Sequence, residues 1–428
     1  MKNIGKKFLK YTIIYITLAT VFFISMIVTY SLPNNRIRNN VEKSVDVLKT
    51  EGIGYTPFFA KPAALLDTHT DALILNIAMN KGTNDNNVKN AMENSYYVDE
   101  TEGGVSSLEK SIGEEENNHE YSRYWHGVQV VIRPLLVFFT YTDIRYIMMI
   151  VVFILLGIVF SLIGKQLGTK CAIAFALTIS MMFIIVIPAS IQYTCIFVVT
   201  LLSIISILLL YKYNKESYVY VAFFIIGAFS TFFDLLTYPL VTFGIPVILV
   251  VLFENRKETG LFRQILKVVV LGILWGSGYT LLFVTKWIFA SIILKKDAIT
   301  LALDQILFRV NGNEIFPVSR SKTIKLNFEN FFIPVARKIL YAITAVWILA
   351  YGLYRKKMKE CKVVIPLVAI ACIPYLWYFV FAGHSGIHSW FTYKIQGITV
   401  FALFCIYTET IDRNTIGKYY KKIRGEKQ

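Results

Sequence analysis

The sequence predicts an all-α polytopic membrane protein with about ten transmembrane helices. The chain has 428 residues, of which 55% are hydrophobic, and a mean hydropathy of +0.54. Soluble domains average about 45–50% apolar residues. Apolar runs of about 20 residues, the length that crosses a bilayer as a helix, recur along the whole chain. Lys and Arg cluster in the short connections of one side, as the positive-inside rule describes.

The first predicted span covers residues 11–32 and follows Lys2, Lys6, Lys7 and Lys10. This run is longer than the core of a signal peptide and lacks a small-residue cleavage site. Residues 1–32 are therefore predicted to form a cytoplasmic N-terminus and an uncleaved first transmembrane helix.

Residues 33–143 are predicted to form a large extracytoplasmic loop with short interfacial helices. Within it, residues 33–127 hold 15 of the 28 acidic residues of the chain against nine basic ones. Apolar spacing predicts helices over 34–48 and over 70–79, with Thr70 as the N-cap of the second. The apolar run 128–139 is too short to span and is predicted to be a re-entrant or interfacial helix.

Residues 144–411 are predicted to form the transmembrane bundle, with an outer loop over 295–334 and a basic cytoplasmic tail over 412–428. A multi-pass protein of the cell membrane with both termini in the cytoplasm follows from this alternation. The predicted spans of the bundle are 144–163, 171–187, 191–211, 218–233, 238–253, 268–287, 335–354, 363–381 and 397–411.

The net charge of +16 is explained by the basic side of this topology, and no nucleic-acid-binding motif accompanies it. We therefore expect a lipid bilayer, and no nucleic acid, as the partner of the basic residues. The five cysteines lie in or beside predicted spans, so the predicted loop has no disulfide framework.

The stretch DTHTD contains the leading candidates for acid–base chemistry, Asp71 ahead of Asp67. Two nearby carboxylates raise one of the two pKa values or hold a divalent cation, with His69 as a further ligand. The alternative is that they cap and solvate the start of a helix.

All five histidines map to the predicted outer side, where histidine serves as a proton carrier, a metal ligand or an ordinary interfacial residue. His384 and His388 have the spacing of two metal ligands on a helix, but no third and fourth zinc ligands are evident. His126 follows Tyr124 and Trp125 in YSRYWHG, where aromatics form either a membrane-interface belt or a substrate wall.

Several charged residues lie in or beside apolar segments at the predicted outer boundary. Arg133 is enclosed by an apolar run, and intramembrane charges are costly and usually functional. Arg123 and Lys394 are further cations, and some such residues only anchor the helices. Asp234 either pairs with one of the arginines or lines a substrate cavity.

The layout over the whole chain resembles the GT-C class of membrane glycosyltransferases. One span, a large outer loop with interfacial helices and an acidic residue, and then many further spans occur in the same order, and DTHTD stands where that class places its catalytic carboxylate. No diagnostic diad follows it directly. The segments YSRYWHGVQVVIRPLL, FDLLTYPLVTFGIP and HSGIHSWFTYK also resemble blocks of an uncharacterised bacterial envelope membrane-protein family with that layout.

This resemblance implies transfer of a sugar from a polyprenyl-phosphate donor to an envelope glycan or lipid at the outer membrane face. Asp71 or Asp67 would deprotonate the acceptor, and Arg133 and Arg123 would stabilise the departing phosphate. A divalent cation, Mg or Mn, is compatible with this chemistry but not required. The alternatives are a transporter or flippase of lipid-linked saccharides and a non-catalytic envelope receptor or assembly protein.

Overall fold

The computed structural model describes residues 2–52, 63–80, 86–99, 103–113, 116–356 and 361–412. These residues form helices and no strand. The predicted basic tail lies outside the described residues from residue 413 onward. The helices are α1 (Lys2–Tyr30), α2 (Asn34–Glu42), α3 (Val45–Glu51), α4 (Thr68–Met79), α5 (Asn87–Glu93), α6 (Gly104–Ile112), α7 (Gln129–Leu136), α8 (Tyr141–Leu167), α9 (Thr169–Met181), α10 (Ile191–Lys212), α11 (Val219–Phe233), α12 (Val241–Arg256), α13 (Leu261–Leu294), α14 (Ala298–Asn311), α15 (Arg320–Phe331), α16 (Pro334–Tyr354), α17 (Val364–Val380), α18 (Ala382–Ile387), α19 (Ser389–Thr392) and α20 (Gly397–Glu409).

Seven helical segments of the described chain are long and apolar enough to cross a membrane. Three shorter helices, α9, α12 and α17, occupy the positions of further predicted spans. A helix rises about 1.5 Å per residue, so these three fall short of the hydrocarbon thickness by themselves. The all-helical membrane architecture is confirmed, and the number of about ten spans stays a prediction. The seven segments are Phe8–Tyr30, Tyr141–Leu167, Ile191–Lys212, Glu216–Phe233, Leu261–Leu294, Pro334–Tyr354 and Ser389–Glu409.

Helices α2, α3, α4, α6 and α7 pack together on one end of the bundle, which we call the loop end. Their apolar side chains form a core that includes Ile37, Leu75, Leu108 and Ile132 and continues to Ile144 of α8. The long predicted loop is therefore a folded cap, built on the ends of α8 and α10.

Two local predictions for this cap are corrected. The single helix expected over 34–48 is two helices, because the chain turns at Lys43 and Ser44 between α2 and α3. The N-cap of α4 is Asp67, and Thr70 is instead the residue whose backbone N–H donates to the Asp67 carboxylate, at 3.1 Å. A carboxylate accepts this bond better than a hydroxyl and also favours the positive end of the helix dipole.

Basic side chains tie the helices together at the opposite end, which we call the basic end. Arg256 at the end of α12 donates to the carbonyl of Leu167 at 2.5 Å, and so joins α12 to α8. Lys267 of α13 forms an ion pair with Glu254 of α12 at 2.7 Å. These contacts gather at one end the cations that the sequence pattern assigns to one side.

Helices α11 and α13 cross at two glycines. A Cβ atom on Gly227 would lie 2.0 Å from the carbonyl oxygen of Trp275, and one on Gly278 would lie 2.0 Å from that of Phe224. Small residues allow two helix backbones to approach where lipid gives no hydrophobic drive for association. The crossing fixes α13, which carries much of the site described below.

We expect Gly278→Ala to destabilise the protein by about 1–3 kcal/mol, because its methyl group meets backbone that cannot move aside easily. Gly157→Ala on α8 is the matched control, since a Cβ there meets no described atom within 4 Å. Thermal unfolding in detergent measures both. Equal unfolding temperatures for the two variants would contradict the close crossing.

Candidate functional site

The Asp71 carboxylate binds the N-terminus of helix α10. It accepts hydrogen bonds from the backbone N–H groups of Ile191 at 3.0 Å and Gln192 at 3.2 Å. The hydroxyls of Tyr141, at 2.6 Å, and Ser190, at 3.0 Å, donate to the same carboxylate. Asp71 is completely buried.

These four donors favour the ionised form of Asp71, because backbone N–H groups cannot accept a proton. Burial raises the pKa of the carboxyl, while Arg145 and the donors oppose that shift. Both oxygens are already bonded, so the geometry supports a helix-capping role for Asp71 more than that of a general base.

Asp67 is also buried, and Thr70 occupies both of its oxygens: the backbone N–H bonds one and the hydroxyl bonds the other at 2.9 Å. Burial, with the nearby Asp71 charge as a lesser cause, raises the pKa of Asp67 to about 7. His69 points elsewhere and accepts from the N–H of Gly104 at 3.1 Å. The described residues contain no group of three His, Cys, Asp or Glu side chains arranged to hold a metal, DTHTD included.

Arg133 is completely buried, and each nitrogen of its guanidinium has an oxygen partner. It donates to the carbonyls of Thr29, at 3.1 Å, and Ala78, and to the Asn34 side chain at 3.3 Å. The guanidinium also lies 4.5 Å from the centre of the Tyr30 ring. Arg133 therefore joins the ends of α1 and α4 and the start of α2, and this geometry favours a structural role over the expected contact with a lipid phosphate.

A cavity of about 310 Å³ lies between α13, α14 and α17, beside the segment that precedes α7. We call it the arginine pocket, because the side chains of Arg123 and Arg309 line it together with aromatic rings. Thr280 and Ile306 on its wall are exposed on the outer surface of the helices, so the pocket opens sideways. Its further lining residues are Tyr124, Leu236, Trp275, Gly276, Tyr279, Phe283, Trp287, Ala302, Gln305, Trp377 and Phe381.

The two arginines of the pocket lack carboxylate partners among the ion pairs of the described chain. Arg123 lies 4.1 Å from the centre of the Tyr121 ring, and Arg309 lies 5.7 Å from that of Tyr124. Arg309 also donates to the Gln305 side chain at 3.0 Å. Aromatic faces and one amide hold the guanidinium groups in place without neutralising them.

Polar atoms with unused hydrogen-bonding capacity gather around this pocket. They are buried and have no partner among the described residues: Nε of Arg123, Nε of Arg309, Oη of Tyr279 and Nε1 of Trp377. Buried polar atoms of native proteins are almost always bonded, so a group of orphans indicates a ligand or ordered water. All four donors belong to side chains that line one cavity, and such a set suits an anion with several oxygens.

Asp234 lies directly after α11 and is 2% exposed. One of its oxygens accepts from the N–H of Thr237 at 2.9 Å, and the other has no partner in the described part of the chain. Burial raises the pKa of this carboxyl to about 7. Its charge also acts on Tyr124 of the pocket, where it helps burial to raise the pKa of that phenol. Of the candidate carboxylates, Asp234 is the one with an oxygen that has no hydrogen-bond partner among the described residues.

His384 and His388 meet the arginine pocket from the far end of the chain. Their rings lie 4.8 Å apart, and His384 bonds the carbonyl of Leu236, a pocket residue, at 2.7 Å. Burial and the nearby Arg309 lower the pKa of His388 to about 4. Burial, then His388 and Arg309, lower the pKa of His384 well below its usual value. Both rings are therefore neutral at physiological pH and can accept or donate a hydrogen bond.

Of the remaining candidates, one lines the pocket and the others are buried outside its lining. Tyr124 lines the pocket, whereas the Trp125 ring is buried and donates to the carbonyl of Leu282 at 2.7 Å. His126 is buried in a left-handed conformation (φ 55°), and neither ring nitrogen has a partner among the described residues. Lys394 is completely buried and donates to the Tyr393 hydroxyl at 2.6 Å, away from the pocket lining.

Arg309, Tyr279 and Gln305 were not among the residues that the sequence singled out. Ala302, Gln305 and Arg309 have helical spacing and share one face of α14. The sequence did contain a signal for Arg309. It is a cation that follows small and polar residues on one face of an otherwise apolar helix.

Comparison of the chain with family models, curated proteins and solved structures gives no match. By its fold and its site, the chain is a polytopic helical membrane protein with a sideways-opening pocket lined by cationic and aromatic side chains.

Asp71→Asn is expected to destabilise the protein by about 2 kcal/mol or more, because an amide nitrogen would face backbone donors in a buried place. Asp46→Asn on the exposed side of α3 is the control and should leave the unfolding temperature unchanged. Thermal unfolding in detergent measures both. If Asp71→Asn keeps full stability yet abolishes activity, the capping role is wrong and the catalytic one is supported.

Stability should fall as pH rises from about 4 to about 7, because Asp234 and Asp67 have folded-state pKa values near 7 against 3.8 for the free side chain. A raised pKa favours the protonated folded form, so its contribution is complete below the unfolded value and is lost as pH passes the folded one. Asp234→Asn should reduce the slope of the unfolding free energy against pH by the contribution of about one proton.

Asp297→Asn should leave the slope unchanged, since hydrogen bonds from Thr300 lower the pKa of this carboxyl and move its titration below the window. Unfolding temperatures measured from pH 4 to pH 8 test the pair. If Asp234→Asn leaves the dependence of the unfolding temperature on pH unchanged, a group other than Asp234 causes it.

Proposed function

We propose that the protein is a GT-C-like membrane glycosyltransferase that binds a polyprenyl-phosphate-linked sugar in the arginine pocket. The proposal rests on two arginines without carboxylate partners that line one aromatic cavity. Asp234, a buried carboxylate with one unbonded oxygen, lies two residues before Leu236, which lines the same cavity. An amphiphile with a phosphate matches these features: its phosphate meets the arginines, and its chain leaves sideways into lipid.

The lateral opening supports a donor that arrives from the membrane. Ile273 of α13 and Leu376 and Phe379 of α17 are exposed beside it, at 62%, 63% and 52%. These apolar side chains would contact hydrocarbon. The aromatic rings Trp275, Tyr279 and Trp377 would contact the first isoprene units or the sugar ring.

In the proposed reaction, the acceptor hydroxyl oxygen forms a bond to the anomeric carbon while the bond from that carbon to the phosphate oxygen breaks. The free oxygen of Asp234 takes the hydroxyl proton, and the electron pair of the broken bond leaves with the polyprenyl phosphate. Arg123 and Arg309 stabilise the charge that develops on that phosphate.

This assignment moves the proposed base from Asp71 to Asp234 and one phosphate contact from Arg133 to Arg309. It keeps Arg123 and Tyr124, and it gives His384 and His388 a place where neutral rings can bond sugar hydroxyls. It invokes no metal. Asp71 and Arg133 keep the loop-end cap in register with the bundle.

Arg309→Ala should weaken binding of polyprenyl phosphate by about 10–100-fold, because a charge-assisted hydrogen bond contributes about 1.5–3 kcal/mol. Lys322→Ala, an exposed cation on the neighbouring α15, is the matched control. Titration of the lipid into protein in nanodiscs measures the affinity. Equal affinity for the two variants, or no measurable binding by the unaltered protein, would contradict the proposed donor site.

Sugar transfer should rise with pH through about 7, because Asp234 acts in its ionised form and burial raises its pKa to about 7. Asp234→Asn should reduce the transfer rate by about 100-fold or more while donor affinity stays within a few-fold. Radiolabelled sugar transfer measured from pH 5 to pH 9 tests this. A profile that Asp234→Asn leaves unchanged would exclude Asp234 as the base.

A further inference from the structure

A second cavity, of about 460 Å³, lies on the other side of α11 from the arginine pocket. Helices α7, α8, α10 and α11 line it with mainly apolar side chains, and we call it the apolar groove. Its hydroxyls are used internally: Thr194 and Ser203 donate to carbonyls of their own helix at 2.7 Å. The groove therefore offers few polar contacts and suits a hydrocarbon.

The groove is as deep as one leaflet of a bilayer. On α10 its lining runs from Thr194 to Ser206, which is about 18 Å along a helix axis. Half of a hydrocarbon core is about 15 Å. Thr194 lies close to the Asp71 cap at the loop end, so the groove occupies the leaflet at that end. A partner transmembrane helix would instead need a face of the full core thickness.

The groove opens to the lipid side, since two of its lining residues, Leu202 and Val151, are 48% and 40% exposed. A chain can therefore enter sideways from the surrounding leaflet. Helix α7 covers the loop end of the groove with Val131 and Leu135.

Asp234 lines neither cavity but lies in the chain between one lining residue of each. Phe233 lines the apolar groove, Leu236 lines the arginine pocket, and Asp234 stands between them in the chain. Three residues of extended chain span at most about 11 Å, so the ends of both cavities are within reach of one carboxylate. This position is where a transfer between two lipids would need its base.

We infer that the apolar groove holds a hydrocarbon chain of the acceptor, so that the acceptor is a membrane lipid with a free hydroxyl rather than a water-soluble glycan. This inference rests on the proposed function for the transfer step itself. A diacylglycerol, which combines hydrocarbon chains with one free hydroxyl, is the simplest lipid of this kind.

Photo-crosslinking tests whether the apolar groove binds a lipid chain. The probe is a diacylglycerol with a diazirine in one acyl chain, added to the full-length protein in nanodiscs of phosphatidylethanolamine and phosphatidylglycerol. We expect crosslinks concentrated on the groove faces of α10 and α11. Leu202→Trp and Ser206→Trp, both at exposed groove positions, should each reduce them about fivefold or more by occupying the space.

Ile154→Trp is the matched control, because Ile154 is 59% exposed on α8 outside the groove lining. It should leave the crosslinks unchanged. Crosslinks spread evenly over the exposed helix faces, or equally reduced by all three variants, would overturn the groove as a lipid site. A copurifying protein that excludes the probe would also overturn it.

The partition of the labelled product between organic and aqueous phases tests whether the acceptor is a lipid. With a radiolabelled donor and a membrane lipid extract, the labelled product should enter the organic phase, and Leu202→Trp should reduce its amount while donor affinity stays unchanged. A labelled product in the aqueous phase, with donor binding intact, would overturn the lipid acceptor and leave the proposed function standing. Loss of donor binding in the unaltered protein would instead contradict the proposed function.

Discussion

The contact between the Asp71 carboxylate and the first backbone N–H groups of α10 holds the loop-end cap on the bundle. A 22-residue helix presents unpaired donors and a partial positive charge at its N-terminus. Ser190, the N-cap residue, does not cap α10 with its own side chain but donates to Asp71. An anion from a distant part of the chain therefore satisfies the helix, and its removal would leave several buried donors without a partner. Arg133 does the complementary work on the other side of the cap, where it satisfies carbonyls at the ends of α1 and α4.

This constraint explains how charges can be buried at the loop end without being reactive. Asp71 and Arg133 are as buried as Asp234, and burial alone does not separate them. The count of unused hydrogen-bonding atoms does separate them: Asp71 and Arg133 are satisfied, whereas Asp234 has a free oxygen and Arg309 a free nitrogen. A buried polar atom that folding leaves unbonded carries a cost that a ligand can remove. At the proposed site several unsatisfied polar groups occur together, beside a lateral opening and near a second, apolar cavity.

The all-helical membrane architecture could be predicted from the sequence, because membrane helices follow from apolar length. The first span, the short helix around Arg133 and the helix after DTHTD all occur near their predicted bounds. The break between α2 and α3 and the Asp67 cap depend on tertiary contacts that apolar spacing does not encode. The importance of Asp71 and Arg133 was visible as charge in apolar surroundings, but their roles depend on partners about 120 and 100 residues away, which sequence periodicity cannot locate. Arg309 had no local feature that set it apart from other cations of an interfacial helix.

The most direct test of the account is an experimental structure of the protein in nanodiscs with a non-hydrolysable polyprenyl-phosphate sugar. The proposed function predicts phosphate density between Arg123 and Arg309, the sugar facing Asp234, and the prenyl chain leaving between α13 and α17. Phosphate density at Arg133, or an arginine pocket filled by side chains that have moved in with the lipid bound elsewhere, would contradict it.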